Sequence, residues 1–152
     1  MKKTILLLLL CAPFIFAQEY KVVFDLTTGS ESVLKKSLID NVKNLRKYYN
    51  DKGDTLKVAV VISGNSYKFF IKDLENSPYS KESALRDTFE QRSKMLNHFS
   101  KTAKFEICSA GMKKREIKKE MLYPFVHPAF NKSEALIRYQ NDGYAYLLIS
   151  DK

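Results

Sequence analysis

Two cysteines, two histidines and five glycines in 152 residues leave little material for several common chemistries. A structural zinc site wants four ligands at recognisable spacings, and Cys11, Cys108, His98 and His127 do not provide them, so no metal is expected. None of the glycines stands in G-x-G-x-x-G or G-x-x-x-x-G-K-[ST]. Gly29 and Gly64 therefore read as turn residues between strand and helix, and no dinucleotide, nucleotide or other cofactor is expected. Paired carboxylates at acid–base spacing are missing too. There is no internal repeat and no low-complexity segment, and past residue 16 no apolar run is long enough for a membrane helix.

The N-terminus is of another kind. Lys2 and Lys3 precede an apolar run over 4–16 and Ala17 supplies a small residue, which predicts a signal peptide over 1–17 and a single domain over 18–152. That destination is periplasmic or secreted. Lipidation at Cys11 is the weaker reading, because Leu10 stands where a small residue is wanted and apolar sequence continues beyond it. With the leader removed, Cys108 is the one remaining thiol and an intramolecular disulfide is impossible. An odd cysteine in an exported chain means a buried inert thiol, an intermolecular pair or a reactive site.

The charge of +9 comes from 26 Lys plus Arg against 17 Asp plus Glu. It is spread over most helices, as expected of a lysine-rich solvated surface. With no basic strand interleaved with aromatics, nucleic acid is not an expected partner.

Tyr20-Lys21-Val22-Val23-Phe24-Asp25-Leu26 is an apolar, β-branched run and predicts a first strand. Thr28 and Glu31 have capping-box spacing, and Leu34, Leu38, Val42, Leu45 and Tyr49 give one face to a helix over 29–49. Leu56-Lys57-Val58-Ala59-Val60-Val61-Ile62 is nearly continuous in apolar residues, as in a parallel strand covered on both faces. A short helix over 67–72 and a polar loop over 73–83 follow. Leu85, Phe89, Arg92, Leu96 and Phe99 then mark a helix over 83–102. Phe105-Glu106-Ile107-Cys108 is a third strand, with a helix over 110–114 and a helical turn over 117–122. Pro124 and Pro128 bracket a fourth strand. Asn131 with Glu134 opens a last helix, Gly143 closes it, and 144–149 is the fifth strand.

Strands alternating with helices predict an α/β fold: a five-stranded, mainly parallel sheet with helices on both faces, a flavodoxin-like three-layer sandwich. Such sheets build sites beyond the carboxyl ends of their strands. That rule selects Thr28 and Gly29, then Gly64 and Asn65, then Cys108 with Ser109 and Gly111.

A lone cysteine on a strand is most often a small core residue. Cys108 differs in standing at a strand-to-helix junction, where its sulfur meets the positive end of the helix dipole and unpaired backbone N–H groups, with small residues after it and Lys113, Lys114 and Arg115 within one turn, all of which favour thiolate. His127, beside the fourth strand, is the histidine placed to approach it in a Cys-His pair, although a structural role suits it better.

Several stretches taken in order resemble the DsrE/DsrF-like family, whose members include TusD-type sulfur-relay subunits. They are 20–29, Asn41-Val42-Lys43-Asn44-Leu45, Val58 to Ile62 with Gly64, Phe105-Glu106-Ile107-Cys108, Ile117-Lys118-Lys119-Glu120-Met121-Leu122, and Gln140-Asn141-Asp142-Gly143-Tyr144-Ala145-Tyr146. The resemblance implies a DsrEFH-like sheet, homo-oligomers of trimer or hexamer type, and a cysteine at position 108 that carries sulfane sulfur as a persulfide. It implies a sulfur donor or acceptor, protein or small sulfur species, as partner. Exported relatives typically read Cys-Gly-Asn-Thr where this chain has Cys108-Ser109-Ala110-Gly111, which keeps the thiol and changes its neighbours. Two other uses stand beside the carrier: a non-catalytic oligomeric module binding a small ligand or partner with Cys108 packed, and a redox sensor cycling through an intermolecular disulfide.

Overall fold

A computed structural model describes residues 17–151 of the chain. The predicted leader, with Cys11, lies outside the described residues apart from Ala17. Five strands, β1 (Glu19–Leu26), β2 (Thr55–Ile62), β3 (Ala103–Cys108), β4 (Val126–Ala129) and β5 (Ala145–Ile149), stand in the order β4-β3-β2-β1-β5. Every neighbouring pair is parallel.

Right-handed crossovers decide where the helices go. The steps from β1 to β2, β2 to β3 and β3 to β4 all move the same way along the sheet, so their connections share one face. That face holds the main core, in which Val22, Phe24, Leu26, Val58, Val60, Ile62, Phe105 and Ile107 meet Leu34, Leu38, Val42, Leu96 and Phe99. The last connection runs back from β4 to β5 and so crosses the opposite face. There a single helix, Lys132–Asn141, lays Ala135, Leu136 and Tyr139 over Val23, Ala59 and Val61. The expected sandwich is present, with one thick and one thin outer layer. Tyr146 and Leu148, on the thin side of β5, stay 42% and 54% exposed because that helix does not reach them.

The predicted helix over 29–49 forms in three parts: α1 (Glu31–Val33), a π-helical stretch Leu34–Asp40, and α2 (Asn41–Asn50). Leu34, Leu38 and Val42 recur every four residues, which drifts round an α-helix; the wider π turn takes up the drift and keeps all three fully buried. The N-cap is Ser30, whose hydroxyl accepts from the Val33 N–H at 3.4 Å, two residues after the expected Thr28. Thr28 is instead buried, and its hydroxyl donates to the Asp151 carboxylate, which also takes the Gly29 N–H at 2.9 Å.

The predicted helix over 83–102 is broken at Thr88 into α3 (Ser83–Asp87) and α4 (Phe89–Ser100). The reason is Arg92, whose side chain is wholly buried. Its guanidinium donates to Glu31 Oε2 at 2.9 Å, to Thr88 Oγ1 at 2.7 Å and to the Leu85 carbonyl at 2.8 Å. Thr88 Oγ1 donates in turn to Glu31 Oε2 at 2.7 Å. The break aims a freed carbonyl and a hydroxyl at one buried cation. The remaining helices are α5 (Ser109–Lys114) and α6 (Lys132–Asn141), with 3-10 turns at Ser66–Phe70 and Lys119–Met121. No helix among the described residues is long and apolar enough to cross a membrane.

Candidate functional site

The carboxyl ends of β1, β2 and β3 converge on the segment after β2. Ser66, fully buried, donates to the Leu26 carbonyl at 2.8 Å, and the Asn65 N–H donates to the Thr27 carbonyl at 3.0 Å. Gly64 has φ of +62°, and a Cβ there would stand 2.9 Å from the Thr27 carbonyl oxygen. A Cβ on Gly29 would stand 3.1 Å from Asn65 Cβ. Thr28, Gly29, Gly64 and Asn65 are thus brought together, and their closeness is what makes both positions glycine. The next residue along, Tyr67, reaches the other way: its phenol donates to the Cys108 carbonyl at 2.9 Å.

Cys108 ends β3 and is also the N-cap of α5, with φ −66° and ψ 110°. An N-cap side chain faces the amides two and three residues on, which have no partner inside the helix. The Ala110 and Gly111 N–H groups accordingly face the sulfur, and a third amide, that of Lys132, comes from α6. This last follows from register: Cys108 pairs with Ala129 on β4, so the turn 130–131 delivers the first residue of α6 to the thiol. Asn131 Oδ1 caps that helix by accepting from the Glu134 N–H at 2.8 Å, which leaves the Lys132 amide without a helical partner.

Burial pushes the thiol pKa up, but the Gly111 amide, the Tyr67 phenol and the Lys132 and Ala110 amides outweigh it, and the net direction is down. Among the described residues no hydrogen bond of full geometry ends on the sulfur, which lies in a cradle of polarising groups. The residue is 9% exposed, so the thiol is screened from bulk solvent. The guanidinium of Arg115 lies 4.8 Å from the Tyr67 ring centre and holds that ring in place. Burial and the Cys108 contact raise the Tyr67 phenol, keeping it a donor.

The predicted site residues fall into three groups. Cys108 and Gly111 belong to the cradle, and Ser109 is the first residue of α5 between them, with no group on the sulfur. Thr28, Gly29, Gly64 and Asn65 make the adjoining wall at the ends of β1 and β2. His127 is elsewhere: it pairs with Glu106, two positions back along β3 from Cys108, about 7 Å down the sheet, and it is exposed. Lys113 and Lys114 are exposed as well, so the acidity comes from amide dipoles and a phenol and not from the basic run. No group of three His, Cys, Asp or Glu that could hold a metal occurs among the described residues.

Tyr67 and Lys132 escaped the sequence reading because each meets Cys108 only through the sheet. Asp25 carried a visible signal, a carboxylate inside an apolar strand. It is 2% exposed and accepts from Lys132 Nζ at 2.9 Å.

Residues 21–148 match the model of the DsrE/DsrF-like family. A chain described as an uncharacterized protein, from Aquifex aeolicus (strain VF5), is 28% identical over 147 residues, covering 97% of this chain and 63% of its own length. This chain therefore spans under two thirds of that relative. A solved structure, titled as a protein of unknown function from Methanobacterium thermoautotrophicum, superposes with a TM-score of 0.64 at 21% identity, covering 85% of this chain and 98% of its own. At that identity the likeness is one of fold.

Proposed function

The chain belongs to the DsrE/DsrF-like family, a family linked to sulfur relay, and from that premise we propose that it carries sulfane sulfur on Cys108. The observation that carries this reading is the cradle: one buried thiol with a lowered pKa, faced by three amides and a phenol. Loading is a displacement without net redox change. Cys108 loses its proton to solvent, the thiolate attacks the sulfane sulfur of a polysulfide or persulfide donor, a new S–S bond forms, and the donor's S–S bond breaks with its thiolate leaving. Unloading reverses this: an acceptor thiolate attacks the outer sulfur and Cys108 departs as thiolate. The same amides that favour the thiolate stabilise it as the leaving group.

Intact-mass spectrometry after polysulfide treatment tests the reading. The native protein is expected to gain whole sulfur atoms, reversed by a thiol reductant, and Cys108→Ser to gain none. An adduct that persists in Cys108→Ser, or no adduct in the native protein, overturns it. The burial of Cys108 favours the second reading, a binding module with a packed thiol. Labelling only after denaturation supports that module, and rapid labelling of the folded protein supports the carrier.

Two further parts of the proposal are read by mass spectrometry on other preparations. Export with cleavage near Ala17 is supported by the charged and apolar leader, and the mass of protein isolated from its native compartment reports the start. Assembly into a homo-oligomer, trimer or hexamer, is supported by the edge strand β5, which exposes Tyr146 and Leu148 on one face and Leu147 on the other. Native mass spectrometry counts the copies.

A further inference from the structure

Among the described residues, Asp25 is the one acid buried in the middle of the sheet. It lies on the α6 side of β1, level with Val61 on β2 and Glu106 on β3. Its Oδ2 takes both available donors, Lys132 Nζ at 2.9 Å and the Tyr146 hydroxyl at 3.1 Å. Its Oδ1 is buried without a partner among the described residues. A buried ion pair is weak as a stabiliser, since desolvation offsets the attraction, and an apolar pair of the same volume would fill the space at least as well. What the pair does accomplish is positional.

Lys132 acts at both ends of this arrangement. Its ammonium crosses to β1 and its backbone N–H faces the sulfur on β3, with β2 lying between the two strands. The ammonium is 37% exposed, so only the carboxylate holds it inward. The amide is one of two in the first turn of α6, with that of Ser133, that the Asn131 cap leaves unbonded. We propose that Asp25 is a positioning residue for Cys108: by anchoring Lys132 it fixes the first turn of α6, so that the Lys132 amide stays aimed at the sulfur. Tyr146 steadies the carboxylate from β5. The inference rests on the carrier reading and names a residue that the chemistry uses without touching.

The test is the pH profile of Cys108 alkylation in the folded protein. The charged and titratable groups facing the two ends are Tyr67 and Lys132 at the thiol, with Arg115 behind Tyr67, and Lys132 and Tyr146 at the carboxylate. Asp25→Asn is expected to move the midpoint up by about half a pH unit, a roughly threefold loss of rate below it. Lys132→Met should do the same, and the double variant no more than either single one, because both act through one contact. Asp25→Glu should recover part of the shift. Val61→Ala, on the same face, lowers the melting temperature and leaves the midpoint in place. An unmoved midpoint in Asp25→Asn and Lys132→Met, with native thiol reactivity normal, overturns the positioning role alone. If Asp25→Asn does not fold, Lys132→Met decides by itself. A native protein that forms no persulfide sinks the carrier reading whatever Asp25 does.

Discussion

Gly111→Ala is expected to cost more than any other single-methyl change at the site. A Cβ there would stand 1.9 Å from the Tyr67 hydroxyl oxygen, 2.6 Å from Cζ and 3.1 Å from Cε2. The ring cannot step aside freely, being 1% exposed and stacked under Arg115. Overpacking of this kind costs about 1–3 kcal/mol, and losing the buried bond to the Cys108 carbonyl adds about 1 kcal/mol. The thiol responds as well. With the phenol pushed off, its dipole no longer polarises the surroundings of the sulfur, so the pKa rises and alkylation at neutral pH slows. Denaturant unfolding and alkylation kinetics read the two effects. Tyr67→Phe keeps the ring and removes the clashing oxygen, so in the Tyr67→Phe, Gly111→Ala pair part of the stability loss should return while the thiol stays sluggish. Full native reactivity in Gly111→Ala would show that Tyr67 does not tune Cys108.

Arg92→Ala, far from the thiol, is expected to destabilise by about 3–5 kcal/mol, the range for removing one partner of a buried charge pair. Glu31 keeps 29% exposure and some access to water, which favours the lower end. The Leu85 carbonyl and the Thr88 hydroxyl lose their shared partner too. Arg92→Met restores volume without charge and should lie between the alanine variant and the native protein. A shift of the urea midpoint at unchanged slope is the expected signature. If the Arg92→Ala loss stays under about 1 kcal/mol, the network is no more than surface-like decoration.

The strands were legible because a parallel sheet covered on both sides writes itself as apolar runs, and Val58 to Ile62 is nothing else. Asn131 announced α6 through its cap, and Gly143, with φ of +82°, marked the end. The break at Thr88 was not legible: its cause is Arg92 reaching Glu31, and 61 residues separate the two in the chain. Arg92 was placed correctly on the buried face, but periodicity says nothing of a partner on another helix. The π-helical stretch was hidden for a related reason, since a repeat of four reads as α-helix until the core fixes the turn. At the site, strand position and small neighbours pointed to Cys108. The helix start after the strand also pointed to unpaired amides at the sulfur, and Gly111 and Ala110 supply them; the basic run offered beside them, Lys113 and Lys114, is exposed and contributes nothing there. Tyr67 and the Lys132 amide were not legible, because only the sheet brings them to Cys108.

The strand order has a consequence for how the chain becomes a protein. β1 is made first, and its second neighbour, β5, lies more than a hundred residues later, returning over the whole thin face of the sheet. During synthesis the chain can pair β1, β2 and β3 in sequence, each from the strand just before it. Meanwhile β1 keeps one flank open, with Asp25 without Tyr146 and Thr28 without Asp151. Contacts of such long sequence separation form late because loop closure must precede their reward. The thiol on β3 therefore emerges before α6 can reach it, and until α6 docks Cys108 has the amides of its own helix start and lacks that of Lys132. Its surroundings are complete only once the chain has turned back across the thin face of the sheet.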